Sequence, residues 1–294
     1  MTIHADLPET RVPSLDRDLS DRRALRNMIQ TGLLWVIALA AAVPLISVLY
    51  MLITQGGARL GLEVLTALPP AGLEPGGGFG NAILGTLVMV AIASAISVPL
   101  GIISGVLLGA IAPTSRVSDV VRFIGKVLTG FPSILAGVFV YAWLVLMMGT
   151  YSAIAGGVAL AVLMVPTVML TAEQAVRMVP QRMKDAAIGM GCTQTQVIWK
   201  VTLPTAMPGI LTGVMLAVAG ASGESAPLLF TALFSNYWLG SFTEPTASLS
   251  ILIYNFSGMP FPNQIELAWA ASLVLVMIVL IFNILSRLIG ARRV

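Results

Sequence analysis

Charge is scarce in this sequence. Of its 294 residues, 16 are Lys or Arg and 13 are Asp or Glu, so only 10% are charged while 57% are hydrophobic. A soluble domain carries about 25% charged residues, because its whole surface must face water. That shortage, with a mean hydropathy of +0.94, excludes a water-soluble protein and points to one embedded in a membrane. Cysteine and histidine are nearly absent too. Cys192 alone rules out an internal disulfide framework, and His4 alone rules out a histidine metal cluster or a His-based triad. The net charge of +3 does not argue for nucleic acid, since the basic residues sit at the ends of apolar runs.

About 20 apolar residues, rising 1.5 Å each, cross a hydrocarbon core of about 30 Å. Six stretches qualify: Thr31–Thr54, Phe79–Ile102, Ile124–Met148, Tyr151–Thr171, Pro208–Phe234 and Leu267–Ile289. They predict an all-α, six-helix membrane domain over residues 31–294, preceded by a cytoplasmic tail at 1–30. The second run continues to Ala112, too long for one upright helix. It is either a tilted helix bent at Pro99 or a span followed by an extra turn along the membrane surface.

If the six spans alternate, fifteen of the 16 basic residues fall on one side, among them Arg22, Arg122, Lys126, Arg177, Lys184 and Arg293; only Arg59 falls on the other. By the positive-inside rule that side is the cytoplasm, and both termini lie there. The opposite loops carry Glu63, Glu74, Glu244 and Glu266 with a Gly/Pro-rich run at Pro69–Gly80. The first 30 residues alternate acid and base without a short apolar core, so they do not read as a signal peptide. Leu15, Leu19 and Leu25 leave two readings open there, a short surface helix or a disordered tail.

Motifs for chemistry are missing. Gly125-Lys126-Val127 fails as a phosphate loop at both the upstream glycine and the hydroxyl position. No Gly-x-Gly-x-x-Gly follows a strand pattern, and no paired Asp/Glu cluster could hold Mg²⁺ at a membrane face. The expectation is a chain that catalyses nothing itself and carries no metal or cofactor. If transport here is driven by ATP, the ATPase is another chain.

The polar loop Glu173–Met207 has internal design. Pro180 suits a helix start, and Met183, Ala186, Ala187 and Met190 follow at i, i+3, i+4 and i+7 as an apolar stripe of modest size. Gly189 and Gly191 interrupt that helix. Thr193 with Gln196 forms a capping-box pattern for a second helix, which Pro204 is expected to end. A helix, glycine turn, helix hairpin of this kind suits docking in a partner's groove. A simple connector would not need it.

One acid, Glu224, falls deep in a predicted span, inside Gly220-Ala221-Ser222-Gly223-Glu224-Ser225-Ala226-Pro227. A lone ionisable residue there costs roughly 2.5–3.5 kcal/mol, so it faces a partner or a water-filled path. Its small, helix-weakening neighbours favour a path; an interhelical bond that only holds the bundle together is the other reading. Gly101-x3-Gly105-x3-Gly109 reads as a close helix-packing face, and Pro44, Pro99 and Pro166 as kinks. Trp35, Trp238 and Trp269, near span ends, read as interfacial anchors.

Asp185-Ala186-Ala187-x3-Gly191-x9-Val201-x-Leu203-Pro204 resembles the EAA signature of ABC importer permeases, with Asp for Glu and Val for Ile. That resemblance implies a type I ABC importer permease fold, with Asp185, Ala186, Ala187 and Gly191 coupling to an ATPase. The tract Gly223-Glu224-Ser225-Ala226-Pro227-Leu228-Leu229-Phe230-Thr231-Ala232 is similar to Gly-Glu-Thr-Ala-Pro-Leu-Leu-Phe-Thr-Ala of the PstA family, permease subunits of phosphate-specific ABC importers. Gly76–Leu87, Val98–Ile102 and Phe131–Phe139 resemble the same family, so the likeness runs over roughly Gly76–Ala232. One departure is Gly220, where relatives often place an arginine.

The resemblance implies a multi-pass permease of a bacterial or archaeal cytoplasmic membrane that moves inorganic phosphate by alternating access. It also implies a second, PstC-like permease, a PstB-like ATPase dimer holding ATP and Mg²⁺, and an extracytoplasmic PstS-like binding protein. Phosphate at neutral pH still carries protons and sulfate carries none, so Glu224 could accept a phosphate hydroxyl while Ser222, Ser225 and Thr86 donate to the other oxygens. An importer of sulfate or molybdate is the nearest alternative. A lipid-modifying membrane enzyme would need an acid cluster or a nucleophile with its base, and a stand-alone channel or carrier would not need the hairpin.

Overall fold

The computed structural model describes residues 22–291, and among them every regular element is helical. The calls on Leu15 and Leu19, and on Arg11, Arg17, Arg292 and Arg293, lie outside these residues. Contacts divide the chain into two units, Met1–Met51 and Leu52–Val294. The first contains one long helix, α1 (Arg22–Met51), which includes Pro44 and carries Arg22, Arg23 and Arg26 in its opening turns. Leu25 belongs to this helix and is exposed.

The second unit is built around α2 (Gly80–Val106) and α5 (Ala153–Arg177). The predicted glycine stripe is what joins them. A Cβ on Gly101 would lie 2.7 Å from Val168 Cβ, one on Gly105 2.5 Å from Ala172 Cβ, and one on Gly109 2.8 Å from Val176 Cγ1. Three glycines four residues apart let two apolar helices close to backbone contact, the main attraction available where lipid removes the hydrophobic drive. The second apolar run is one continuous helix to Val106 with a π-turn at Leu107–Ile111. At about 1.5 Å per residue the 32 residues Gly80–Ile111 are about 48 Å long, so the helix outruns the hydrocarbon core.

Between them the chain corrects one predicted span. Ile124–Met148 is not a single helix: α3 (Arg116–Thr129) and α4 (Ser133–Val140, extended by the π-turn Tyr141–Val145 and Leu146–Met148) meet at 106°. Gly130 ends α3, and Pro132 disfavours helical backbone at Phe131 while lacking an N–H of its own. Hydropathy runs smoothly through this break, so composition alone hides it. α3 is amphipathic. Val117, Val120, Phe123, Ile124 and Val127 are exposed along one side. On the other, Arg122 reaches the buried Glu173 of α5 at 2.9 Å. Arg177, one turn further along α5, meets the same carboxylate at 2.8 Å.

After α5 come α6 (Gln181–Gly189) and α7 (Gln194–Val197), then a π-turn at Ile198–Thr202 that leads into α8 (Leu203–Gly223). Pro204 therefore does not end the second helix of the hairpin. It occupies the first turn of α8, where a missing N–H costs nothing, and the wide π-turn before it lets the helix continue. α8 stops at Gly223, so the fifth predicted span, Pro208–Phe234, is broken at Glu224; a single turn, Ala226–Leu229, follows. An irregular stretch then caps α5, its Thr231 and Phe242 carbonyls accepting the N–H groups of Ser152 and Ile154. A buried helix the hydropathy reading missed, α9 (Leu249–Ser257), precedes α10 (Pro262–Ala291). Counting the bent pair as one span, the described residues hold six helical segments long and apolar enough to cross a membrane.

A cavity at a helix break and a hairpin at the basic end

α5 and α8 form a cleft. Near their basic ends they are pinched: a Cβ on Gly209 would stand 2.8 Å from Ala175 Cβ, and one on Gly213 would overlap Thr171. Seven residues further along α8 the helices have parted, and a Cβ on Gly220 would meet nothing within 4 Å. The space between holds a cavity of about 250 Å³. Leu163, Met164 and Thr167 of α5 form one wall; Leu216, Ala217, Gly220 and Ala221 of α8 form the other, and Glu224 completes it.

Glu224 sits here because α8 ends here. Its backbone is extended (φ −73°, ψ 123°), its N–H still reaches the Ala221 carbonyl, and its own carbonyl accepts from Ser250 Oγ at 2.9 Å. Ser250 lies at the start of α9, whose first N–H, that of Leu249, is received by Thr86 Oγ1 at 2.8 Å. Glu224 is half-buried, and among the described residues no group pairs with its carboxylate. Behind the break, Pro227 packs on Gly137 of α4.

The other predicted path residues are placed differently. Ser222 is buried and donates to the Val218 carbonyl at 2.7 Å; Thr86 is buried and donates to the Ala82 carbonyl at 2.8 Å. Neither lines the cavity, and the hydroxyl hydrogen of each is already spent. Ser225 adjoins Glu224 and is half-buried, outside the cavity wall. Thr167 was missed: in the sequence it is one threonine of an apolar run, spaced like Thr171, and nothing there marks which of the two faces a space.

The hairpin at the basic end has the predicted form. Pro180 caps α6, Gly191 turns with φ +88°, and Thr193 and Gln196 exchange both bonds of a capping box, at 3.3 and 2.9 Å. The four coupling candidates divide. Asp185 and Ala186 are exposed, Asp185 accepting from Gln181 at 2.9 Å, and Gly191 forms the turn. Ala187 points inward, 2% exposed, so the exposed stripe is Met183, Ala186 and Met190, joined by Ile188. Trp199 and Met178 leave further apolar surface nearby, 65% and 82% exposed.

Comparison with known proteins places this geometry. The chain is 39% identical over 249 residues to the phosphate transport system permease protein PstA of Yersinia pestis, covering 85% of this chain and 84% of that one. It is 37% identical over 266 residues to the protein of the same name from Haemophilus influenzae, covering 90% and 94%. A bacterial alginate ABC transporter, solved with a pentasaccharide-bound periplasmic protein, shares the fold with a TM-score of 0.65 at 14% identity, over 94% of this chain and 98% of that one. A permease-type bundle, a break bearing a lone carboxylate and an EAA-type hairpin agree with the family match over residues 97–294: the chain belongs to the family of binding-protein-dependent transport system inner membrane components.

Proposed function

We propose that this chain is a permease subunit of an ATP-driven importer of inorganic phosphate, and that Glu224 contacts the substrate. The carrying observation is the half-buried, unpaired Glu224 at a helix break beside a cavity in the membrane domain. An unpaired acid in lipid is costly, so its retention needs a partner that arrives from outside the chain. A carboxylate only accepts hydrogen bonds. Hydrogen phosphate offers it a donor, and sulfate does not. The names of the relatives support the same substrate over another oxyanion.

An importer of this class works with an ATPase and a binding protein. In the proposed assembly those are a PstB-like dimer that holds ATP and Mg²⁺ and a PstS-like protein, with a second, PstC-like permease supplying the positive charge that no described residue of this chain places beside Glu224. The basic end faces the cytoplasm, with both termini there, and receives the ATPase at Asp185, Ala186 and Gly191; Ala187 anchors the hairpin from inside. ATP binding closes the ATPase, the hairpin moves, and the α5–α8 cleft opens outward; hydrolysis resets it. Thr86 and Ser222 act here by holding helix and break, and Ser225 beside Glu224 remains a donor to substrate.

Glu224→Gln decides the matter. In the assembled transporter it keeps size and hydrogen bonding but adds donors where only acceptance serves. Labelled phosphate uptake should collapse with assembly intact. Unchanged phosphate uptake and unchanged phosphate-over-sulfate selectivity would refute the proposal.

A further inference from the structure

The hydroxyls of this bundle follow a pattern. Thr86, Thr171, Thr212, Ser222 and Ser272 each donate to the carbonyl four residues earlier. Back-bonding of this kind is how a helix hydroxyl satisfies its hydrogen where no water reaches. Two hydroxyls depart from it: Ser97 of α2, which is fully buried without a partner and lies away from the cavity, and Thr167, which lines it. Among the described residues no partner receives or supplies a hydrogen bond at the Thr167 hydroxyl, although Thr171, one turn on, bonds to the Thr167 carbonyl at 2.7 Å. Thr167 is half-buried and lines the cavity, whose wall contains one other polar side chain, Glu224.

We propose that Thr167 is a substrate-contacting residue that sets affinity: its hydroxyl donates to an unprotonated phosphate oxygen while Glu224, across the cleft, accepts the P–OH proton in a hydrogen bond. This rests on the reading of Glu224 above. Thr167 lies on α5 and Glu224 just past the end of α8, so an anion held by both bridges the cleft. A hydroxyl can give what a carboxylate cannot, and a tetrahedral anion with one proton left presents a donor and several acceptors at once. Sulfate satisfies Thr167 alone, so discrimination stays with Glu224, whereas Thr167 sets how tightly the accepted anion is held. Arsenate, with the same protonation and shape, uses both contacts.

The test uses the full chain assembled with its partner subunits in proteoliposomes, reading labelled phosphate uptake. Thr167→Val keeps shape and removes the donor; Thr167→Ser keeps the donor. A hydrogen bond to a charged group is worth enough that Thr167→Val should raise the KM for phosphate about tenfold or more. The maximal rate should change far less, and inhibition by arsenate should weaken in parallel. Thr167→Ser should stay within about twofold. If the valine variant fails to assemble, Thr167→Ala, which only removes atoms beside a cavity, carries the same expectation.

A parental KM in the valine or alanine variant overturns the assignment, as does a serine variant as impaired as valine. Glu224→Gln is read in the same vesicles. If Glu224→Gln is crippled and Thr167→Val is parental, the Thr167 assignment alone falls. If Glu224→Gln is parental, the reading beneath it falls too.

Discussion

Gly137 of α4 and Pro227, three residues past Glu224, touch backbone to backbone: a Cβ on Gly137 would come within 2.6 Å of the Pro227 Cα and 2.7 Å of its carbonyl oxygen. Backbone on both sides leaves nothing that can rotate away. The bend at Gly130-Phe131-Pro132 brings α4 to this contact, so the broken third span supports the break in the fifth.

Gly137→Val should therefore displace the Ala226–Leu229 turn and Glu224 with it. Overpacking of this kind costs about 1–3 kcal/mol. The expected result is a lowered unfolding temperature in detergent and loss of phosphate uptake, with Gly137→Ala between the variant and the parent. A valine variant that transports normally would show that α4 does not hold the break.

Gly220 is the converse case. A side chain there projects into the cavity and meets nothing within 4 Å, so Gly220→Val should leave thermal stability within about 0.5 kcal/mol of the parent. Uptake should nonetheless fall, and fall further with Gly220→Leu, because volume is taken from the cavity. Graded loss of transport at constant stability is the signature; equal uptake in all three would place the path elsewhere.

Glu173 is 5% exposed and shared by Arg122 and Arg177. Without Glu173, Arg122 still holds Asp119 at 2.9 Å and Arg177 is half exposed, so neither cation is left buried and alone. Glu173→Ala should lower the unfolding temperature through loss of the two shared contacts. A double-mutant cycle of Glu173→Ala with Arg122→Ala should be non-additive, because each single variant already removes the bond between the two.

Neighbouring alanines on α6 separate docking from folding. Ala186→Glu alters an exposed surface and should keep stability within about 0.5 kcal/mol while the ATPase subunit no longer co-purifies. Ala187→Glu buries a charge at a 2% exposed site and should destabilise the chain itself. Identical behaviour of the two would remove the distinction between outward and inward alanine.

Periodicity and spacing made the hairpin legible: Pro180, the Thr193–Gln196 box and the Gly191 turn each act through local backbone chemistry that the sequence states outright. The glycine stripe Gly101, Gly105, Gly109 was legible for the same reason. Hydropathy could not show the breaks at Phe131 and Glu224, because an apolar residue contributes equally to a helix and to the turn that interrupts it. Nor could it separate Gly213 from Gly220. One glycine exists to admit Thr171 and the other leaves space, and only the divergence of α5 from α8 tells them apart. Thr167 was hidden with them.

The pinch at Gly209 and Gly213 lies between the hairpin and the cavity on the same two helices. From Gly213 to Gly220 is seven residues, about 10.5 Å of α8, over which the helices part. A side chain added at Gly209 or Gly213 would wedge α5 from α8 where they are pinched, and so would reshape the cavity without altering any residue that lines it.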